Sequence, residues 1–154
     1  PTPDPSPYLS PGERSKEEEM IAKAVFDKLE GDATLTAMLA TYEGDAAIFT
    51  IDPAPGDAVL PYIVAASVPV QTPFDSKLTR GRTAWIDVRC YSGATGSAQN
   101  VDAIAERVRA LLHREPLLID DHIWLWSECT GPVSANEADA YGRIVTLKVT
   151  FEEL

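Results

Sequence analysis

Histidine and cysteine, the residues that most often supply nucleophiles and metal ligands, are scarce in this sequence, which has two of each among 154 residues. Cys90 and Cys129 form no CxxC pair, which excludes a zinc site or a dense disulfide framework built from them. We interpret both as small buried hydrophobic residues in a reducing compartment, with a disulfide as the alternative because both lie on predicted strands. No G-x-S-x-G elbow is present either. The sequence therefore predicts no enzymatic activity, no catalytic residue, no metal site and no cofactor.

Positive charge is also in short supply. Thirteen basic residues stand against 24 acidic ones, and the formal net charge is −11. A surface that binds duplex DNA needs clustered Lys and Arg to neutralise phosphates, so tight binding to nucleic acid is not expected. Long apolar runs are missing as well, since none approaches the roughly 18 residues needed to cross a bilayer. We predict no membrane span and, because the N-terminus lacks a basic region followed by an apolar one, no secretory signal.

Two short segments are similar to a phosphate-binding loop and to a metal site, but each lacks residues that such a site needs. Residues 93–97 (GATGS) lie between a predicted strand and a predicted helix. They lack the Lys and the glycine spacing of phosphate-binding loops, so we interpret them as a turn with Ser97 as the helix N-cap. Asp120, Asp121 and His122 are adjacent, and adjacent strand residues point to opposite faces, which disfavours a shared metal site.

Composition divides the chain into two parts. Residues 1–14 are rich in Pro and poor in apolar side chains, so we expect an extended or mobile N-terminal arm. Residues 15–154 have the length and hydrophobic content of one domain. A helix is predicted from about Ser15 to Gly31, since apolar residues recur there at helical spacing, and Asp32 offers a cap for a short helical turn.

Changes of hydrophobic period beyond residue 46 predict the rest of the fold. Strands are predicted at five places: residues 47–51, 60–68, 85–91, 122–128 and 143–153. A helix with one continuous apolar stripe is predicted at residues 101–112. Helix, strands, helix and strands with short connections predict an α+β fold, in which two main helices pack on a mostly antiparallel β-sheet in a single domain.

Residues 69–83 show neither period and predict a long loop or a hairpin tip. A hairpin of this length has the reach to project about 20 Å beyond the sheet. Apolar and basic side chains mix there, as on surfaces that dock onto another protein, although a merely solvated loop fits the sequence equally. Five residues form our candidate partner-binding set: Phe74, Lys77, Leu78, Arg80 and Arg82. The small, acidic loop predicted at residues 130–142 is the second candidate contact.

Two tryptophans mark the strand predicted at residues 122–128. Strict alternation puts Trp124 and Trp126 on the same side. There they would either stack a ligand or be buried under a helix or in a subunit interface.

From Met20 onward the sequence resembles the tail terminator or tail completion proteins of long-tailed bacteriophages and gene transfer agents. The layout carries this resemblance: the helical segment 20–29 is followed by the small apolar turn 32–39, and Leu60-Pro61-Tyr62-Ile63-Val64 opens the second strand. The strand at 85–91 then precedes an Ala-rich helix that ends in a leucine pair at residues 111–112. These segments span nearly the whole predicted domain.

The resemblance implies a structural virion protein, not an enzyme. Family members are α+β subunits that form a homo-hexameric ring, cap the finished tail tube and join it to the head connector. The implied partners are copies of the same chain, the tail-tube protein and the connector or adaptor protein, while DNA passes through the channel without specific binding. The implied location is the neck of a virion or gene transfer agent particle assembled in the bacterial cytoplasm. The alternative is a small acidic ligand-binding or adaptor domain, with the two tryptophans forming a pocket.

Overall fold

The computed structural model describes residues 16–75, 80–137 and 139–154, in which two helices are followed by five strands, a third helix and two further strands. The helices are α1 (Lys16–Glu30), α2 (Ala33–Thr36) and α3 (Gln99–Leu112). The strands are β1 (Thr41–Tyr42), β2 (Asp45–Ala46), β3 (Ile48–Phe49), β4 (Tyr62–Asp75), β5 (Arg80–Gly93), β6 (His122–Ser134) and β7 (Ala140–Glu153). The predicted N-terminal arm, residues 1–14, lies outside the described residues.

The first two helices follow the sequence closely. In α1 the residues at helical spacing, among them Ile21, Val25 and Leu29, are buried. Gly31 lies at the end of α1, where its N–H donates to the Asp27 carbonyl at 3.0 Å. Asp32 then caps α2, because its Oδ2 accepts from the Leu35 N–H at 2.8 Å. The predicted break and second helical start are therefore confirmed.

The N-terminus of α3 differs from the prediction by one residue. Ala98 occupies the N-cap position and makes no side-chain cap hydrogen bond. Ser97, predicted as the cap, lies one residue earlier, and its Oγ accepts from the Gln99 N–H at 3.3 Å. The preceding turn is held by Tyr141, whose hydroxyl accepts from the Gly96 N–H at 3.0 Å. The segment acts as a turn, as the sequence predicts.

Five of the strands form one sheet in the order β3-β4-β5-β7-β6. The short β3 pairs in parallel with β4, and every other neighbouring pair in this sheet is antiparallel. β1 and β2 form a separate two-stranded ribbon. The mixed but mostly antiparallel sheet with helices confirms the predicted α+β class.

Two predicted loops are largely strands. Residues 69–83 belong mostly to β4 and β5, which remain paired as far as Asp75 and Arg80, so the hairpin alternative is right and the long loop is wrong. Prolines at 69 and 73 obscure the strand pattern, and such residues are tolerated at a sheet edge. Residues 130–142 are likewise reduced to a connection between Ser134 and Ala140.

The core lies between α1, α3 and one face of the sheet, called here the helix face. Alternate residues of β7 are fully buried on this face, as predicted: Val145, Leu147, Val149 and Phe151. The opposite, open face carries a small aromatic cluster near β3, in which the rings of Phe49, Tyr62 and Tyr91 follow one another at 5.8 and 5.4 Å. One face of the sheet therefore holds the helices, and the other is covered only in part.

None of the described helices is both long and apolar enough to span a membrane.

Candidate protein-binding surface

The predicted partner-binding set lies at one end of the sheet. Phe74 at the end of β4 pairs with Gly81, and Arg80 opens β5 opposite Asp75. Arg82 is half-buried, and its Nη1 donates to the Gly81 carbonyl at 3.1 Å. Lys77 and Leu78 lie outside the described residues. The strand pairing brings the other three members of the set to one hairpin end.

The described strands of the hairpin end close to the end of the sheet. β5 is paired with β7 from Gly81 onward, and Gly81 lies opposite Glu152 near the end of β7. The described parts of the hairpin therefore lie level with the end of the sheet.

A second surface, on edge strand β6, was not predicted from the sequence. Three apolar residues near the start of β6 are exposed: Ile123 (44%), Leu125 (38%) and Trp126 (43%). Leu154 is 83% exposed, and its N–H donates to the Asp121 carbonyl at 3.1 Å, which fixes it beside the start of β6. We call Ile123, Leu125, Trp126 and Leu154 the edge patch. Clustered apolar exposure of this kind is typical of a protein-binding surface.

A β-bulge in β6 corrects the prediction that Trp124 and Trp126 share one side. Trp124 pairs with Phe151 and Trp126 pairs with Thr150, so Leu125 is the extra residue. Because Phe151 is buried on the helix face and Thr150 points away from it, Trp124 packs against the core while Trp126 faces outward. The two indoles cannot form one ligand pocket. Alternation alone does not anticipate the extra residue.

The backbone edge of β6 is already occupied along part of its length. The Arg114 N–H donates to the Ser127 carbonyl at 2.9 Å. The Cys129 N–H donates to Nδ1 of His113 at 3.0 Å. Ser127 Oγ also donates to the Leu112 carbonyl at 3.1 Å. Another strand cannot pair with this stretch without breaking these bonds, so a partner would contact β6 mainly through side chains.

Several charged residues lie close to the edge patch. Glu115, Asp121 and Glu153 are exposed close to it, since the Glu115 carbonyl accepts from Ser127 Oγ at 3.2 Å and Glu153 pairs with His122. Basic groups lie nearby as well: the Arg114 guanidinium is 5.2 Å from the centre of the Trp126 ring, and Lys23 bridges Asp120 at 3.1 Å. The patch is thus apolar with a charged margin of both signs.

The titratable groups offer little chemistry. Burial raises the pKa of Cys90 to about 12 and that of Cys129 to about 11, so both thiols stay protonated and unreactive near neutral pH. Both are free, which answers the disulfide alternative. His122 is committed to a contact between its Nδ1 and the Asp120 carbonyl, at 2.7 Å. No group of three potential metal ligands occurs among residues 16–75, 80–137 and 139–154.

One shallow cleft of about 400 Å³ lies between the C-terminal ends of α1 and α3, and its lining includes Lys28, Gly31 and Leu111. Asp32 at this cleft is already engaged by Arg107 at 2.7 Å. Asp27 also belongs to the lining of this cleft.

Comparisons with known proteins identify the same family that the sequence resembles. The family model described as "Tail completion protein gp17" matches residues 23–152. No curated protein matches this chain. A chain from the virion of a native gene transfer agent particle has 16% identity and a TM-score of 0.70, with 90% of this chain and 99% of that chain covered. A second solved structure has 9% identity and a TM-score of 0.61, with 91% and 97% covered. At such identities the two structures demonstrate a common fold.

Proposed function

Because this chain belongs to the tail completion protein gp17 family, we propose that it caps the finished tail tube as a six-copy ring and joins the tube to the head connector. Membership of the family makes it a structural tail protein of the virion. The finer role, with six copies, the tube and the connector as partners, is the proposal. The match over residues 23–152 is the observation that carries it.

The shape of the sheet supports a ring subunit. A closed ring joins two different surfaces of each copy, one from either side. The sheet offers two such sides, β4 beyond the short β3 and β6 with its edge patch. Apolar side chains exposed on an edge strand are costly in an isolated protein and are expected where a neighbour covers them.

Charge supports the passage of DNA without retention. The chain has 24 acidic and 13 basic residues. A channel built from such subunits repels phosphates on balance, so DNA moves through it without specific binding. We also propose that the protein has no catalytic activity, in keeping with the inert thiols. The ligand-binding alternative loses its basis, because the bulge at Leu125 separates the two tryptophans.

Deletion of the gene from the phage or gene transfer agent that encodes it tests this function. We expect DNA-filled heads and finished tails that remain separate in electron micrographs, and we expect a plasmid copy of the gene to restore joined particles. A reconstruction of the wild-type particle should show six copies between tube and connector. Joined, active particles without the protein, or a different copy number or position, would overturn the proposal.

A further inference from the structure

We propose that, in the ring, two arginines beside β6 of one copy bind an acidic loop beside β3 of the neighbouring copy. The arginines are Arg109 and Arg114, and the loop, called here the acidic loop, is residues 51–59. This inference rests on the proposed function and adds to it the pair of surfaces that meet. The occupant of the arginine surface is thus a second copy of this chain.

The two surfaces lie on opposite flanks of one sheet. β3 and β6 are the outer strands in the order β3-β4-β5-β7-β6, so four strand spacings, about 19 Å, separate them. The acidic loop follows β3 and leads to β4. Within one copy the loop therefore cannot reach the arginines, and a contact between them must join two copies. Contacts between unlike surfaces of this kind are those that generate a ring.

The arginines form the basic part of the β6 flank. The Arg114 N–H donates to the Ser127 carbonyl at 2.9 Å, and its guanidinium lies 5.2 Å from the centre of the Trp126 ring. Burial raises the pKa of Cys129 and the charge of Arg109 opposes this rise, so Arg109 also lies near β6. In the described part of the chain, neither guanidinium forms an ion pair with a carboxylate. Both are therefore available to a carboxylate of a neighbour.

The acidic loop supplies such carboxylates. Residues 29–76 contain no Lys or Arg, and Asp52 and Asp57 are exposed within the loop. The pKa of Arg89 on the open face is raised chiefly by a hydrogen bond to Tyr91 and less by the charge of Asp52. Among the described residues, no ion pair engages either loop carboxylate. Negative charge on one flank thus complements positive charge on the other.

Contacts within its own copy hold the acidic loop in place. Tyr42 donates its hydroxyl hydrogen to Asp57 Oδ1 at 2.9 Å. Ala54 and, just after the loop, Leu60 pack against the buried cluster around Val64. Because these contacts position the loop before a neighbour arrives, binding requires little further ordering of its backbone.

Apolar side chains accompany the charges on both surfaces. Trp126, next to Arg114, is exposed, and the acidic loop exposes Ile51 (69%) and Val59 (59%). Burial of such side chains against one another is favourable, and the water that they exclude would otherwise weaken a charge pair. The contact therefore joins apolar with apolar surface as well as basic with acidic surface.

The remaining charges near β6 limit where the acidic loop can bind. Asp121 and Glu153 lie at the start of β6, where Glu153 pairs with its first residue. Arg114 bonds to β6 further along, at Ser127. Carboxylates of the loop would be repelled at the start of β6 and attracted beyond it. We therefore expect the loop on the arginine side of Trp126.

Reversal of the charges tests the pairing. One variant carries Arg109→Glu with Arg114→Glu, and the other carries Asp52→Lys with Asp57→Lys. In a ring of either variant every contact joins like charges, so we expect the titre of joined particles to fall about tenfold or more. A chain with all four changes has attractive contacts again, and its titre should return toward the wild-type value. Since the two surfaces lie on opposite flanks, this recovery cannot arise within one copy.

Controls separate a lost contact from a lost fold. Glu30→Lys reverses an exposed charge at the end of α1, outside both surfaces, and should leave the titre unchanged. Thermal unfolding of each purified variant shows whether it folds. If a double change unfolds the chain, Arg114→Glu and Asp52→Lys replace the pairs, singly and combined. If folded variants keep the wild-type titre, or the folded combined variant gives no recovery, the pairing is wrong. The proposed function fails separately, if deletion of the gene leaves heads and tails joined.

Cross-linking gives a direct readout of the same contact. Val59 and Ala110, which follows Arg109, are both exposed. A chain with Val59→Cys and Ala110→Cys should form linked oligomers, up to the full ring, when assembled particles are treated with a short bis-maleimide. Neither single substitution should do so beyond background, because Cys90 and Cys129 are buried. A double variant that assembles into active particles but yields no linked oligomers would contradict the proposed contact.

Discussion

At the scale of single residues, Asp32 does more than cap α2, because it also binds a side chain of α3. Its carboxylate accepts from the Leu35 N–H and also from Nε and Nη2 of Arg107, at 2.8 and 2.7 Å. One side chain thus starts α2 and ties it to α3. Hydrogen bonds from Arg107 are the main cause that lowers the pKa of Asp32 below its ordinary value.

The lowered pKa of Asp32 predicts a pH-dependent effect of Asp32→Asn. A carboxyl with a depressed pKa stabilises the fold above its unfolded pKa, and this contribution disappears as the pH falls through the folded pKa. Asp32→Asn should therefore lower the urea midpoint at pH 7, and the difference from wild type should shrink at pH 3. Urea titrations at both pH values measure this. Asp45→Asn, at an exposed side chain, serves as the control. If the midpoint of Asp32→Asn lies equally far below that of wild type at both pH values, the predicted pH dependence is wrong.

At the scale of elements, the β6–β7 hairpin depends on Gly131. This residue has φ of +94°, and an added Cβ would lie 2.7 Å from the Ile144 carbonyl oxygen and 3.1 Å from the Val133 nitrogen. Gly131→Ala should destabilise the protein by about 1–3 kcal/mol, because both the backbone conformation and the close approach oppose a side chain. Chemical unfolding measures the change.

Gly56→Ala is the matched control for Gly131→Ala. No atom lies within 4 Å of a Cβ built at Gly56, and its backbone is not in the left-handed region. Its stability should therefore stay within about 0.5 kcal/mol of wild type. Equal unfolding midpoints for the two variants would mean that the hairpin adapts to a side chain at Gly131.

Sequence reasoning identified the elements better than their lengths and faces. The regular hydrophobic patterns of α3 and β7 were sufficient to predict which residues face the core, since Val108 and Leu147 are buried as their spacing predicts. Two kinds of residue led to wrong predictions of strand length and strand face. Pro69 in β4 and Gly131 in β6 signal loops, yet an edge position or a bulge accommodates them. Local signals do not reveal which strand is an edge, because that depends on the order of the whole sheet.

The edge patch was missed for the same kind of reason. Strict alternation places Ile123 and Leu125 on the buried side of β6, together with Ser127 and Cys129. The bulge shifts the register, so that Ile123 and Leu125 are exposed instead. The available signal was the unbroken apolar run at residues 123–126. In a strand with one solvated face such a run indicates either a bulge or contact on both sides. The basic hairpin, in contrast, was predicted from composition, and its contact with a partner stays a prediction.

At the scale of the whole molecule, residues 1–14 differ from the rest of the chain in composition, because they are rich in Pro and poor in apolar side chains. We propose that this Pro-rich arm is dispensable for folding. Its deletion should shift Tm by no more than about 2 °C, since changes outside the packed core usually alter stability by less than about 0.5 kcal/mol. Differential scanning calorimetry measures the shift.

A longer deletion provides the contrast for removal of the arm. Removing residues 1–25 also removes the buried Ile21 and Val25, so that variant should lose cooperative unfolding. A large fall in Tm after deletion of residues 1–14 alone would instead show that the arm packs on the domain or on a neighbouring copy.

The two ends of the sheet differ in chemistry, and this gives any ring of the protein a direction. One end holds Arg80, His122 and Glu153, and the other holds the turn at residues 93–97 and the connection between Ser134 and Ala140. A cyclic ring has no two-fold axis across it, so in a ring whose strands run along its axis one rim presents only the first set and the opposite rim only the second. Such a part fits between two different neighbours in one orientation only. In such a ring, polarity along its axis would follow from the fold, without any switch in conformation.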